Sequence, residues 1–335
     1  MVAVHSFGVF AKCPRRLPPT GYKVAVVGAG PAGLALAGEL ACRGHEVHVL
    51  DRLPEPGGML VFVIPSFRFR KDVVRRSIKE LENVGVWFHT GADVGTQVRV
   101  QDLVKSYDAV VVATGTWRSA RLGVRGEELP GVYYALEWLH SHAMYELGYG
   151  PPPPPPGSRV VVVGGGLSAV DACEVAARVY GLKPVVVYRR PLRVAPAARE
   201  LAALKERGLI DVVESALPLE VVGSGRIEGL RVVSVKPTEA RTEAIEIVSG
   251  SERVIEADTV IVAAGLRPTP PPSLAELGVE IAPDGRVVTD ENFMTKVPGI
   301  FAAGDVAHGA SNVHKAMESG RRAALSVDAY LRRAR

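Results

Sequence analysis

The sequence predicts an α/β protein of two three-layer domains, each built on a parallel sheet, and three observations carry that expectation. A strand, a glycine-rich turn, a helix and a second strand follow one another between Lys23 and Asp51. The same grammar returns from Arg159, 136 positions later when counted from Gly28 to Gly164. A further strand and helix close the chain after a proline-rich break, and as the completion of the first sheet they make the first domain discontinuous.

Taken in order, residues 1–20 read as an N-terminal tail. Lys23–Val27 is β-branched and almost wholly apolar, as a strand buried on both faces of a parallel sheet requires. GAGPAGLALAGELACRG runs from turn to Ala/Leu helix and EVHVLD is the next strand, a β-α-β unit of about 30 residues. Pro151–Pro156 is six consecutive prolines, a stiff polyproline II spacer. RVVVVGGG, LSAVDACEVAARVYG and PVVVYRR then repeat strand, turn, helix and strand. From Arg226 to Ala264 short alternating segments predict an antiparallel meander that returns to a buried strand. After Pro268–Pro272 come a strand at GIFAAGD and a helix from about Val313 to Arg332. The expected boundaries are 21–130 with 272–335 for the first domain and 131–271 for the second, the proline run lying inside its start.

Composition narrows the function classes. The chain has 335 residues, 47% hydrophobic and 23% charged, enough for two buried cores. Its net charge of +4 is spread among acids rather than gathered in a stripe, which argues against nucleic-acid binding. Three cysteines in no C-x-x-C pair argue against a disulfide framework, a metal site and an iron–sulfur site, and for a reducing compartment. Cys42 and Cys173 lie in apolar helical runs and read as core thiols. With no apolar run long enough to span a membrane and a poor secretory signal, the expected location is the cytoplasm. Scarce Asn and Gln and proline-rich loops point to a thermophile.

Gly28, Gly30 and Gly33 form G-x-G-x-x-G between a strand and a helix. That placement suits a dinucleotide: a tight turn, close approach of backbone to a pyrophosphate, and close packing of helix on strand. Pro31 and Ala32 open the helix, whose free N–H groups face the phosphates. Asp51 ends the second strand, where a carboxylate accepts hydrogen bonds from an adenosine ribose. The second copy is Gly164, Gly165, Gly166, Leu167, Ser168 and Ala169, and its second strand ends in Tyr188, Arg189 and Arg190 instead of an acid. Arginines there favour a 2′-phosphate, hence NADPH over NADH. Both domains are therefore Rossmann-like.

The segments VVGAGPAGLALAGEL with LDR, PGGML with IPSFR, VVVATGTWRSARLGVRGEELPGV, VVVGGGLSAVDA with VVVYRR, and GIFAAGDV with SNVHKAMESGRRAA resemble the pyridine-nucleotide-dependent flavin oxidoreductases. Within them, the chain is most similar to the NADPH-oxidising small (beta) subunit of glutamate synthase. The resemblance implies that the first domain binds FAD and the second NADPH. For FAD it implies contacts from Arg52, from Gly57, Gly58 and Met59, and from Ala113, Thr114 and Gly115. It adds Gly304 and Asp305 of A-G-D, and Asn312 and Val313 at a helix start aimed at the isoalloxazine. Ala264 and Gly265 join the cofactor-contacting set by the same route. A buried aspartate that only caps its turn is the alternative for Asp305.

Two departures stand out. Cys13 is the only cysteine before Gly21, where that subunit carries a cluster-binding region, and Lys315 occupies a place that is often acidic. Electrons are thus expected to leave to an iron–sulfur acceptor protein or to a large glutamate synthase subunit, in a homo- or hetero-oligomer. Hydride transfer to flavin needs stacking and exclusion of water rather than an acid–base group, so no catalytic side chain and no metal ligand is named. His308 and His314 stand near the flavin or are packing histidines. The missing cysteine pair excludes thioredoxin-reductase and disulfide-reductase activity. A stand-alone NAD(P)H oxidase or a ferredoxin/quinone reductase is the second reading, and a non-catalytic nucleotide-binding module the third.

Overall fold

The computed structural model describes Phe10, Cys13 and residues 17–236 and 245–333, and the chain divides into two compact units: Met1–Arg118 with Leu266–Arg335, and Ser119–Gly265. Most of the expected N-terminal tail, part of the meander (237–244) and residues 334–335 lie outside the described residues.

The first unit begins with β1 (Lys23–Val27), α1 (Pro31–Cys42) and β2 (Glu46–Asp51). Proline at the start of α1 sits where a missing N–H costs nothing, and the helix is buried almost all round. α2 (Met59–Phe62) and α3 (Lys71–Asn83) follow. α3 buries Val74, Ile78 and Leu81, the i, i+4, i+7 spacing of one apolar face. β3 (Val86–Thr90), α4 (Val100–Ser106) and β4 (Ala109–Val112) complete this part.

The second unit runs through β5 (Val132–Tyr134), α5 (Ala135–Glu146), β6 (Val160–Val163), α6 (Leu167–Tyr180), β7 (Val185–Tyr188), α7 (Ala198–Glu206) and β8 (Asp211–Glu214). β9 (Ala216–Gly223), β10 (Ile227–Ser234) and β11 (Arg253–Glu256) form an antiparallel sheet. β12 (Thr259–Val262) then inserts between β5 and β6, giving a parallel sheet of order β5-β12-β6-β7-β8. Val221, Ile227, Leu230 and Val232 pack against Val161, Val163, Val260 and Val262, so the antiparallel sheet shares a core with the parallel one. The meander was expected from Arg226; it starts ten residues earlier, at Ala216, because β9 pairs back onto β10.

Back in the first unit, β13 (Ile300–Ala302), α8 (Asp305–His308) and α9 (Val313–Arg333) finish the chain. β13 pairs parallel with β4, and the sheet order is β13-β4-β1-β2-β3. The chain runs outward from β1 to β2 and β3, then crosses to the other side of β1 for β4. That reversal opens a crevice at the carboxyl end of β1. α9 lies on α1 at backbone contact: a Cβ on Gly320 would stand 2.1 Å from the Ala32 carbonyl oxygen.

The unit boundaries differ from those read in the sequence, and side chains explain both shifts. Residues 119–130 belong to the second unit: Leu122, Val124 and Leu129 pack on its core, and the buried Glu127 accepts from the Leu122 and Gly123 N–H groups. Residues 266–271 belong to the first, where Thr269 N donates to Gly115 O and the fully buried Leu274 follows.

The cysteine reading needs a correction. Cys13 and Cys42 form a disulfide, although they stand 29 residues apart in no recognisable motif. The pairing arises because the segment before β1 folds back on the end of α1, with Leu17 N donating to Cys42 O and Thr20 N to Gly44 O. Cys173 is a buried free thiol, and burial pushes its pKa far up.

Candidate cofactor sites

In the first unit the carboxyl ends of four parallel strands carry the residues singled out in the sequence: Gly28 after β1, Asp51 at β2, Ala113 to Gly115 after β4, and Gly304 and Asp305 after β13. Each glycine of the first turn has a distinct reason. Gly28 has φ +111°, and a Cβ there would lie 2.5 Å from Ala113 O. A Cβ on Gly33 would lie 1.9 Å from Gly28 O, so only glycine lets α1 close on the turn. A Cβ on Gly30 would meet nothing within 4 Å, which leaves open space over the backbone at the start of α1. Pro31 and Ala32 follow as its first residues.

Asp51 is half-buried and anchored by the backbone. Its Oδ2 accepts from Ala29 N at 2.6 Å and its Oδ1 from Leu53 N at 2.8 Å. Burial raises its pKa above the ordinary carboxylate value, against the pull of those two donors. Each oxygen keeps acceptor capacity for a ribose hydroxyl. A cavity of about 280 Å³ opens beside it, lined by Gly28, Arg52, Thr114, Trp117 and Pro270 to Pro272 among others. Thr114 Oγ1 is buried with no hydrogen-bond partner. A buried hydroxyl of this kind calls for a partner that the protein itself does not supply.

Gly57 and Gly58 fold over the turn, with Gly57 N donating to Ala29 O and α2 beginning at Met59. The buried Lys71 holds this segment by donating to the carbonyls of Leu60 and Ile64. Gly304 is pinned by the Ser319 hydroxyl, to which its N–H donates at 2.8 Å. Asp305 accepts from both the Oγ (2.5 Å) and the N–H (3.1 Å) of Ser311; burial raises its pKa and those bonds oppose the rise. Asn312 caps α9, its Oδ1 accepting from Lys315 N at 3.0 Å, so the helix starts at Val313. His308 packs edge-on against Phe293; burial, then Arg322 and Arg286, lower its pKa.

The second unit repeats the turn. Gly164 has φ +150°, and a Cβ there would lie 2.3 Å from Ala263 O. The Tyr188 ring lies across Gly165, whose Cβ would stand 2.6 Å from it, while Gly166 is open. Gly165 O accepts from Ala197 N, which ties the segment after β7 to the turn. Leu167 and Ser168 begin α6, and Ala169, fully buried, takes the place of the third glycine. The two arginines are not equivalent: Arg189 is exposed, whereas Arg190 is buried, with only 4% of its surface exposed. Ala264 and Gly265 lie exposed after β12, with Gly265 O accepting from Ala120 N.

A model of the pyridine nucleotide-disulphide oxidoreductases matches residues 22–320, spanning both glycine turns. The chain belongs to the pyridine nucleotide-disulphide oxidoreductase family. Among relatives of this oxidoreductase, the small chain of glutamate synthase [NADPH] from Escherichia coli is 38% identical over 93% of this chain and 69% of its own. The beta subunit of the NADP(+)-dependent formate dehydrogenase of Moorella thermoacetica is 35% identical over 93% of this chain and 44% of its own. In fold it matches FprA of Mycobacterium tuberculosis in complex with NADPH, with TM-score 0.77 and 19% identity over 95% of this chain and 85% of that one. As a member of this family the chain is a pyridine-nucleotide-dependent oxidoreductase.

The oxidoreductase's disulfide lies at the C-terminal end of the 12-residue α1, roughly 18 Å along the helix from the glycine turn. Among the described residues, no helix is long and apolar enough to cross a membrane. Trp117 and Thr269 to Pro272 are not among the site residues expected from the sequence, because no local motif links segments 152 residues apart.

Proposed function

We propose that the chain oxidises NADPH: bound FAD accepts the hydride and hands the electrons to an iron–sulfur or other protein partner, by this reading the large subunit of a glutamate synthase. The observation that carries it is the pair of glycine turns, each open over its second glycine, in a chain 38% identical to a glutamate synthase small chain. Gly28 to Gly33, Asp51 and Thr114 would hold the adenosine diphosphate half of FAD, and Gly57, Gly58, Gly304 and Asp305 would surround its flavin half. The α9 N-terminus, capped by Asn312, would place positive potential where reduction builds negative charge. Gly164 to Ala169 would hold the pyrophosphate of NADPH, and Arg189 its 2′-phosphate.

A stand-alone NAD(P)H oxidase or ferredoxin/quinone reductase is the second reading. We place the protein in the cytoplasm of a thermophile. A disulfide fits that assignment, since intracellular proteins of hyperthermophiles are an exception to the rule of reduced cytosolic thiols.

Anaerobic titration of the purified protein with NADPH and with NADH, followed by candidate acceptors, tests this. The flavin absorbance should bleach with NADPH and return on adding the large subunit or a ferredoxin. Steady NADPH consumption under air without any partner would favour the stand-alone reductase, and a colourless protein that takes up no flavin would sink both.

A further inference from the structure

We propose that Phe293 is a positioning residue for the flavin site, a wedge between α8 and α9 that sets where Asp305 presents its carboxylate. This rests on the reading that the first unit holds FAD, with Asp305 beside its flavin half. The backbone is the first sign. Phe293 has φ +63°, and among the described residues Ser215 is the other non-glycine residue with a positive φ. For a side chain as bulky as phenylalanine that conformation is an outlier and costs free energy. Such strain persists where the surroundings impose it, and it gathers at functional sites.

The turn that imposes it is built round Asp290. Its Oδ1 accepts from Asn292 N and from Met294 N, both at 2.9 Å. Its carbonyl accepts from Phe293 N at 3.1 Å, and its own N–H donates to Met294 O at 2.9 Å. Phe293 O then accepts from Ala302 N at 3.0 Å, which joins the turn to the end of β13, two residues before Gly304. Glycine or asparagine would hold that φ at less cost. The turn therefore does not call for a phenyl ring, and the ring's contacts do.

The ring is buried and meets both helices that follow Gly304. It packs edge-on against His308, with centroids 5.7 Å apart and planes at 81°. The Arg322 guanidinium carbon lies 5.4 Å from its centroid. His308 is the last residue of α8 and Arg322 lies on α9, so one side chain spaces the two helices. Asp305 opens α8 and is tied by Ser311 to the segment that starts α9. α8 is only four residues long, so a shift of His308 carries Asp305 with it. Close packing transmits such a shift, since no void takes it up.

The experiment reads three quantities: FAD affinity by flavin fluorescence on deflavinated protein, the visible circular dichroism of the bound flavin, and the melting temperature of the flavin-free protein. Phe293→Gly relieves the strain and removes the wedge, so the two effects on melting should offset each other. FAD should bind about tenfold more weakly, with an altered flavin dichroism. Phe293→Leu keeps an apolar wedge at the same backbone and should restore most of both. On an Asp305→Asn background Phe293→Gly should weaken FAD no further, because the wedge acts through that carboxylate. Should Phe293→Gly not fold, Phe293→Asn, which also tolerates a positive φ, takes its place. Unchanged FAD binding in the folded variant, an equal loss in Phe293→Leu, or full additivity with Asp305→Asn would overturn the proposal. Wild-type protein that binds no FAD would instead overturn the flavin reading beneath it.

Discussion

His45 and Asp328, 283 residues apart, meet at 2.9 Å between Nε2 and Oδ1, and so tie the first β-α-β unit to the final helix. The same ring places Nδ1 2.8 Å from Thr20 Oγ1, an arrangement that suits a neutral imidazole donating to the carboxylate and accepting from the hydroxyl. Burial lowers the His45 pKa, and the hydrogen bond and charge of Asp328 only partly offset it. Burial also works against ionised Asp328, but hydrogen bonds from His45, Arg332 and Arg43 outweigh it and hold its carboxyl below the usual value.

Acid should therefore loosen the first unit from a surprisingly high pH. Unfolded His45 takes a proton near its ordinary value of 6.5, whereas the folded residue resists until lower pH. Between those values the unfolded chain binds more protons, so stability is full above about 6.5 and falls as pH drops through the window. Urea unfolding at pH 7.5 and 5.5 should show the loss, and His45→Gln should flatten it. An equal pH dependence in the variant would refute the assignment.

Two glycines of the first turn should separate folding from binding. Gly33→Ala drives a methyl into the Gly28 carbonyl and should destabilise by about 1–3 kcal/mol or more, with loss of flavin. Gly30→Ala meets no protein atom within 4 Å and has a negative φ, so the fold should hold while flavin binding fails. Melting curves and flavin content on the two purified variants decide the matter.

Arg189→Ala should weaken NADPH about 10- to 100-fold, leave NADH unchanged and leave the melting temperature alone, as loss of a charged hydrogen bond at an exposed side chain would. Arg190→Ala, at a buried position, should lower stability instead. Titration with both nucleotides is the check, and an equal effect of Arg189→Ala on the two would remove the 2′-phosphate from that residue.

Thiol counting should show no reactive cysteine in the native protein, one after unfolding without reductant and three with reductant. Closing a loop across 29 residues is worth about 3–4 kcal/mol on the chain-entropy account, so Cys42→Ala or reduction should lower stability by up to that amount. Flavin content should not change.

Much of this was legible in the sequence. The glycine turns, Asp51 and the cap Asn312 act through neighbours a few residues away or through a strand end, and local pattern reports such things. The missed features share a different cause. Cys13 reaches Cys42 only because the segment before β1 turns back, and Trp117 reaches Thr269 only because a whole unit is inserted between them. The boundaries at 118 and 265 were likewise decided by which core Leu129 and Leu274 enter.

By itself the sequence determined the two parallel-sheet units, the turns that can take a dinucleotide and the acid-versus-arginine contrast at their second strands. Hydrophobic periodicity and glycine's backbone freedom operate within a few residues, so they are written locally. Only the tertiary structure decided which arginine is exposed, that Cys13 and Cys42 pair, and that Arg52, Trp117 and Pro270 to Pro272 line one cavity. Those outcomes depend on distant segments competing for the same buried space, and no short stretch of chain carries that information.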